Sequence, residues 1–421
     1  MRRILILLLL IFLLITSSSC SQLTDSHINE EETYSVASIQ IDSVTTKEDL
    51  ISLYDGQVLV FKPQDGFAIM AFSREQNAFT TLVSSKNKKA FSIPEVSIEG
   101  SSSFEEGVRV WVGGVRVWVG GWDAWLKGDP SSTLPGENQG VWELINLPGA
   151  YGLGQNSGSG IKVAVIDTGI DLSHPVFEQG LAPASEWKDF VDDDAIPMEA
   201  IGAAYGHGTG VAGLIRQIAP NARILPIRVL DGEGIGDTDD VILAIDHAVS
   251  SGADIINLSL GSSINDKALL TMISYAINQG VLVISSAGNT ARNNDLTYPA
   301  AYSTRNTIAD MLLSIGSVDD DGSLSDFSAF GTKLFSTAPG EDLLSSFPDK
   351  RLAKFTGTSF AAPIWTGVLA LAYSDLSENQ RMQLDVDLAS ELVPGGTWEI
   401  LDASQLMEHV ATLKNISSIQ E

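Results

Sequence analysis

Short apolar runs alternate with amphipathic stretches across the second half of the chain. The runs are residues 163–166, 224–230, 255–260, 281–284 and 312–318. Stretches 239–250 and 267–278 lie between them and have the periodicity of helices. Strands that are apolar throughout are covered on both faces, so this alternation predicts an α/β fold in which helices flank a parallel sheet.

A smaller α/β module is predicted nearer the N-terminus, within residues 35–105. Its pattern indicates strands at 58–61 and 67–72 around a turn at 63–66, a helix at 74–85 and a strand at 91–98. Residues 21–34 before the module are polar and read as a tether.

Residues 108–114 (VRVWVGG) repeat identically as residues 115–121. The alternation around Gly113 and Gly114 predicts a two-residue β-hairpin, although a tandem duplication that only lengthens one strand explains the repeat equally well. With the Gly-, Pro- and Ser-rich stretch 128–140, residues 106–153 form a hairpin and linker region. The main domain is then 154–385, followed by a C-terminal extension, 386–421, with a helix at 403–413 that we expect to pack on that domain.

Composition narrows the class of partner. The 421 residues are 44% hydrophobic and 19% charged, as in globular proteins, and the formal net charge is −28. Such a charge argues against nucleic acid or anionic lipid surfaces, because both select for Lys and Arg. The triplet Asp192, Asp193 and Asp194 reads as solvated acidic surface, with cation binding as the alternative.

The first twenty residues predict export. Arg2 and Arg3 precede an apolar run at 4–15, which is shorter than the roughly 20 residues of a membrane-spanning helix and is typical of a signal peptide. Cys20 is the single cysteine, so an intrachain disulfide is not possible. Its position after the apolar run resembles a bacterial lipidation site, although Ser17 stands where that pattern usually has Leu. Ordinary cleavage or an incidental cysteine is the alternative to a lipid anchor.

Three residues suggest nucleophilic chemistry. Asp167 directly follows a buried strand, His207 lies between glycines, and Ser359 begins a helix that is apolar nearly all round. Each alone has an ordinary structural explanation, Ser359 for example as a helix cap. The remaining histidines, His27, His174, His247 and His409, each have a structural or surface explanation.

Together the three segments are far more specific. VIDTG, GHGT and GTSFAAP resemble, in order and context, the three signatures of the subtilisin-like (subtilase) serine peptidases, and the similarity runs over about residues 160–373. The resemblance implies a bacterial exported serine endopeptidase with Asp167, His207 and Ser359 as its triad and a polypeptide substrate. It also implies that the N-terminal module is a propeptide, with a permanent domain as the alternative.

The resemblance extends to binding residues. ISSAGN resembles the family segment whose Asn donates to the oxyanion, which makes Asn289 the donor here. The same segment contributes Ser286, Ala287 and Gly288. Two further segments resemble those that pair with the substrate backbone, and they contribute Leu230, Gly232, Gly234, Ser259, Leu260 and Gly261. No cofactor is expected, and the protein is expected to be a monomer.

The sequence departs from the family in two places. Gly210 follows GHGT where the family usually has His, and the short stretch after it leaves no room for a calcium-binding loop found in many secreted subtilases, so no metal is expected at that position. Two other functions stay open. The same triad serves a narrow processing protease or an acyl transferase, and a relative that keeps the fold without activity would be a surface-binding protein.

Overall fold

A seven-stranded parallel sheet carries the second half of the chain. The structure is a computed structural model that describes residues 34–54, 56–73, 84–85, 91–92, 108–112, 115–119, 138–303, 312–388 and 399–420. The described residues belong to one compact unit that begins at Tyr34. The predicted signal sequence, Cys20, His27 and most of the predicted tether lie outside them.

The strands of the central sheet lie in the order β15-β14-β13-β12-β8-β10-β9. Their bounds are β8 Lys162–Asp167, β9 Lys188–Asp189, β10 Arg223–Arg228, β12 Ile255–Leu258, β13 Leu282–Ser286, β14 Leu312–Val318 and β15 Ser336–Pro339. All pairs are parallel. Helices flank the sheet, which confirms the predicted fold class. These helices are α4 His207–Ile218, α5 Thr238–Ser250, α6 Lys267–Asn278 and α7 Thr358–Ser374.

Two predicted strands are longer than the observed ones. β10 ends at Arg228 rather than at Leu230, because the backbone N–H groups of Val229 and Leu230 both donate to the carbonyl of Asp167, at 2.9 and 3.3 Å. β12 ends at Leu258 rather than at residue 260. In both cases the chain leaves the sheet at its carboxyl edge, where the segments expected to bind substrate begin.

The N-terminal module is a second, four-stranded sheet in the order β2-β3-β1-β4. Its elements are β1 Tyr34–Gln40, α1 Lys47–Tyr54, β2 Gln57–Lys62, β3 Phe67–Ser73 and β4 Ser84–Ser85. The predicted helix at 74–85 is wrong at its end, because Ser84–Ser85 pairs with β1 as a strand. The rest of that helix lies outside the described residues. Of the strand predicted at 91–98, the structure describes β5, Phe91–Ser92, which pairs with β11, Ile235–Gly236.

The repeat forms the predicted hairpin. β6, Val108–Val112, pairs antiparallel with β7, Val115–Val119, and Val112 lies opposite Val115. A second antiparallel hairpin consists of β16, Leu343–Phe347, and β17, Arg351–Thr356. β7 pairs antiparallel with β17, so the sheet has the order β16-β17-β7-β6. The repeat therefore extends an existing sheet by two strands.

Helices at both ends of the main domain complete the core. α2 is Gln139–Leu144 and α3 is Leu147–Leu153, in a region that the sequence predicts as linker. Trp142 of α2, Leu147 of α3 and Ile145 between them are buried. At the C-terminus, α8 is Glu378–Asp387 and α9 is Ala403–Gln420, longer than the predicted 403–413. α9 packs on α3, α7 and α8. None of the helices in the described part of the chain has both the length and the hydrophobicity needed to span a bilayer.

Candidate active site

Asp167 and His207 are joined by a short hydrogen bond in the interior. Asp167 is the last residue of β8 and His207 the first of α4. Nδ1 of His207 lies 2.7 Å from Oδ1 of Asp167, and the side chains are 0% and 1% exposed. Oδ1 of Asp167 also accepts a hydrogen bond from its neighbour, the N–H of Thr168, at 2.7 Å.

Glycine at position 208 allows this approach. A Cβ on Gly208 would lie 2.1 Å from the carbonyl oxygen of Gly169, closer than atoms can approach. The glycine after His207 therefore lets the start of α4 lie directly against the turn that follows Asp167.

Gly210, the departure from the family pattern, also has a structural explanation. A Cβ at this position would lie 2.5 Å from Cζ of Phe355, a buried residue of β17. The ring of Phe355 thus occupies the space that a side chain at position 210 would need.

Ser359 lies in the first turn of α7 and is fully buried. Its hydroxyl donates to the carbonyl of Ser259 at 3.3 Å. Nε2 of His207 is buried and has no hydrogen-bond partner among the described residues. The ring of Phe360, the next residue after Ser359, lies 5.1 Å from the imidazole, centroid to centroid. The structure therefore brings Asp167 and His207 into contact and places the first turn of α7 against the imidazole through Phe360, with the hydroxyl of Ser359 bonded to Ser259 rather than to His207.

Two hydrogen bonds join Ser259 and Ser359, one from each hydroxyl to the other residue's carbonyl. Pro363 lies one helical turn after Ser359 and has no N–H, so it cannot make the usual helix bond to the carbonyl of Ser359. The hydroxyl of Ser259 donates to that carbonyl instead, at 2.7 Å. Ser259, predicted as a substrate contact, thus satisfies a backbone group that the proline leaves without a donor.

Asn289 lies beside the start of α7 in an orientation that the backbone fixes. Its Oδ1 accepts from the N–H of Thr358 at 3.0 Å and from the hydroxyl of Thr358 at 2.9 Å. That hydroxyl accepts in turn from the N–H of Gly288 at 3.1 Å. Because a backbone N–H needs an oxygen, Nδ2 must be the amide group that points away from Thr358. Sequence reasoning missed Thr358, although it precedes Ser359 within GTSFAAP.

The predicted substrate-binding residues lie on three segments at the carboxyl ends of β10, β12 and β13. Leu230 directly precedes a turn that contains Gly232 and Gly234. The N–H of Asp231 donates to the carbonyl of Ile235 across this turn at 2.9 Å. Ser259, Leu260 and Gly261 follow β12, and a Cβ on Gly261 would lie 2.5 Å from Oγ1 of Thr297. Ser286, Ala287 and Gly288 lead from β13 to Asn289, and Gly288 has a φ of 102°. In parallel sheets ligands bind at this edge.

The remaining described histidines have structural partners. Nε2 of His174 donates to the carbonyl of Arg351 at 3.2 Å, and burial lowers the pKa of this buried imidazole. His247 bonds the carbonyl of Glu186 at 2.7 Å. His409 pairs with Asp387 at 2.6 Å.

The acidic triplet is partly neutralised by cations. Arg228 bonds Asp189 at 2.8 Å and Asp192 at 2.5 Å, and Lys188 bonds Asp193 at 2.8 Å. Among the described residues no group of three His, Cys, Asp or Glu side chains is arranged to hold a metal ion. The connection between α4 and β10, where the sequence leaves no room for a calcium-binding loop, consists of residues 219–222.

The known proteins to which this chain is similar fall into one family. The sequence model of the Subtilase family matches residues 158–404, more than half of the chain. The major intracellular serine protease of Bacillus subtilis (strain 168) is 36% identical over 304 residues, 64% of this chain and 92% of that protein. Thermitase of Thermoactinomyces vulgaris is 34% identical over 267 residues, 61% of this chain and 90% of that protein. The crystal structure of a cold adapted subtilisin-like serine proteinase aligns with a TM-score of 0.50 and 31% identity, covering 59% of this chain and 91% of that chain.

Proposed function

This chain belongs to the subtilase family and is a serine endopeptidase, and we propose that Asp167, His207 and Ser359 are its catalytic triad. The observation that carries the proposal is the buried hydrogen bond between Asp167 and His207. It directs Nδ1 toward the carboxylate and leaves Nε2 as the nitrogen that can accept a proton.

In the proposed reaction, the hydroxyl of Ser359 turns from the carbonyl of Ser259 toward Nε2 of His207 when substrate binds. Catalytic hydrogen bonds often form only in the substrate complex, so the bond to Ser259 is compatible with this role. His207 takes the proton as Ser359 attacks the peptide carbonyl, and Asp167 stabilises the imidazolium. His207 then returns the proton to the leaving amine, and water hydrolyses the acyl-enzyme.

Asn289 and the backbone N–H of Ser359 would hold the oxyanion. Nδ2 of Asn289 points away from Thr358, and the N–H of Ser359, in the first turn of α7, has no acceptor within the helix. The positive end of the helix adds to the attraction for a negative oxygen. One such donor contributes about 3 to 4 kcal/mol in comparable sites.

The segments 230–234 and 259–261 would pair with the extended substrate, as two strands do with a third. Because backbone groups make most of these bonds, the site would accept many sequences. We therefore expect a polypeptide substrate.

Digestion of casein by the chain without its first 20 residues tests this function. Wild type is expected to release peptides whose masses equal hydrolysis products, and Ser359→Ala is expected to release none. Products carrying an added amine would instead identify an acyl transferase. No cleavage by a folded wild type would favour a latent zymogen, a narrow processing protease or the surface-binding alternative.

We also infer that residues 35–105 are a propeptide. Lys62 of β2 bonds Asp246 of α5 at 2.6 Å and lies over the ring of Tyr275 on α6, and Phe67 packs edge-on against the same ring at 5.5 Å. The pairing of β5 with β11 leads the module toward the segment 230–234. Mass spectrometry of the purified wild type and of Ser359→Ala separates the alternatives: self-cleavage after the module supports a propeptide, and an intact active chain shows a permanent domain.

Export with a lipid on Cys20 is proposed from the sequence alone. Palmitate labelling of wild type, with Cys20→Ala as the control, is expected to label only wild type. Label on neither protein would leave ordinary cleavage or an incidental cysteine.

A further inference from the structure

A carboxylate that no motif identifies connects the two elements that carry Asp167 and His207. Oε2 of Glu199 accepts from the hydroxyl of Thr168 at 3.0 Å and from the N–H of Gly206 at 3.1 Å. Oε1 accepts from the N–H and the hydroxyl of Thr209, both at 2.9 Å. Thr168 directly follows Asp167, whereas Gly206 and Thr209 lie on either side of His207.

The hydrogens in this network have fixed directions. The hydroxyl of Thr168 accepts from the N–H of Gly208 at 3.0 Å, so its own hydrogen goes to Glu199. The hydroxyl of Thr209 accepts from the N–H of Asp171 at 2.9 Å, so its own hydrogen also points to Glu199. All four groups around Glu199 therefore donate, and this arrangement suits an ionised carboxylate, which only accepts.

Burial opposes that ionisation. Although Glu199 as a residue is half-buried, its carboxylate is enclosed by the four donors, and burial raises its pKa to about 8. The donors lower the pKa and the charge of Asp167 raises it further. The titratable groups around the network are Asp167 at the end of β8, Asp171 in the following turn, Tyr205 before α4 and His207 at its start.

We propose that Glu199 is a positioning residue of the peptidase, whose ionised carboxylate fixes the end of β8 against the first turn of α4 and so holds Asp167 and His207 in line. The inference rests on the proposed triad and extends it. Glu199 acts through Thr168, Gly206 and Thr209 rather than on substrate, so its loss should lower kcat and leave KM nearly constant.

Glu199→Gln disrupts this network, because each carboxylate oxygen accepts a hydrogen bond from a backbone N–H. Whichever way the amide turns, its NH₂ group meets one of these donors. The neutral side chain also removes the titration of Glu199, so the acidic limb of the variant's pH profile, at its lower kcat, should lie at lower pH than that of wild type.

Asp254→Asn is the matched control. Asp254 accepts from the N–H of Lys162 at 2.8 Å and from Arg381 at 2.7 Å, so the same substitution again places an amide against donors on both oxygens. Asp254 precedes β12 at the amino ends of the strands, the edge opposite the triad. Its loss affects stability without reaching Asp167 or His207.

The test measures kcat and KM of the full chain on a peptide substrate between pH 5 and 10. Glu199→Gln is expected to lower kcat by roughly 10- to 100-fold with KM within about twofold, and to shift the acidic limb toward lower pH by roughly one unit. Asp254→Asn should keep the wild-type profile. A profile for Glu199→Gln that matches Asp254→Asn would overturn the proposal.

Variants of Thr168 and an NMR signal of His207 provide two further tests of the role of Glu199. If Glu199→Gln does not fold, Thr168→Val, which lacks the hydroxyl between Gly208 and Glu199, must lower kcat while Thr168→Ser keeps most of it. The proton resonance of His207 Nδ1 in a Ser359→Ala background tests the geometry without turnover. It should move in Glu199→Gln and not in Asp254→Asn, so a failure of the inference remains distinct from a failure of the proposed peptidase mechanism.

Discussion

Nδ1 of His207 lies 2.7 Å from Oδ1 of Asp167, and neither side chain is more than 1% exposed. A hydrogen bond in such a dry environment defines the orientation of the imidazole, because no water competes for either atom. It follows that changing the carboxylate should alter which nitrogen of His207 carries the proton.

Asp167→Asn is expected to keep the fold and to lower kcat by about 10⁴, because an amide NH₂ facing Nδ1 favours the tautomer in which Nε2 is protonated. Steady-state hydrolysis of a peptide substrate measures the loss, and thermal unfolding checks the fold. A variant that retains a tenth or more of the wild-type kcat would show that this pair does not orient the base.

Asn289→Ala is expected to lower kcat by about 10²- to 10³-fold with little change in KM, because the amide would act on the oxyanion of the transition state. Thr358→Val should give a smaller loss, since it removes the hydroxyl that donates to Oδ1 of Asn289 but keeps the backbone donor. A rise in KM with an unchanged kcat would place Asn289 in substrate binding instead.

Ser259→Ala is expected to lower the free energy of unfolding by about 1 to 3 kcal/mol, because the carbonyl of Ser359 then has no donor from Ser259 or from Pro363. Chemical denaturation in a Ser359→Ala background measures it without self-digestion. The matched control is Ser274→Ala, whose hydroxyl donates to the carbonyl of Leu270 on the exposed face of α6. Equal losses in the two variants would contradict a special role for Pro363.

Stability should depend on pH through Asp385. Burial raises the pKa of this carboxyl from 3.8 to about 6, while hydrogen bonding from Tyr373 and the charge of Arg381 oppose the rise. A folded state that binds more protons than the unfolded state loses stability as pH rises from about 4 to 6, by about 2 kcal/mol after allowance for partial exposure. Asp385→Asn should remove this dependence. Denaturation of both proteins in the Ser359→Ala background at pH 4 and 7 provides the check, and parallel pH dependences would be the contrary result.

The sequence was most informative where packing imposes a period. Leu312–Val318 and Lys267–Asn278 have the predicted bounds because their residues are buried throughout or on one face. It was least informative where long-range contacts decide, as for Ser84–Ser85, which becomes a strand through its pairing with β1.

The same division applies to the site. Asp167, His207, Ser359 and Asn289 stand in recognisable motifs, whereas Glu199 lies in a loop without one and depends on contacts with Thr168, Gly206 and Thr209. The sequence identifies Ser259 only as a substrate contact, because its bond to the carbonyl of Ser359 depends on how two distant segments meet.

Covalent labelling tests whether Ser359 is the nucleophile and His207 is its base. A fluorophosphonate, which forms a stable bond to an activated serine, would be added to the full chain, to His207→Ala and to Ser359→Ala, and the modified residue would be located by peptide mass spectrometry. We expect stoichiometric modification of Ser359 in the full chain and none in either variant. Modification at another serine, or equal modification of Ser359 in His207→Ala, would contradict it.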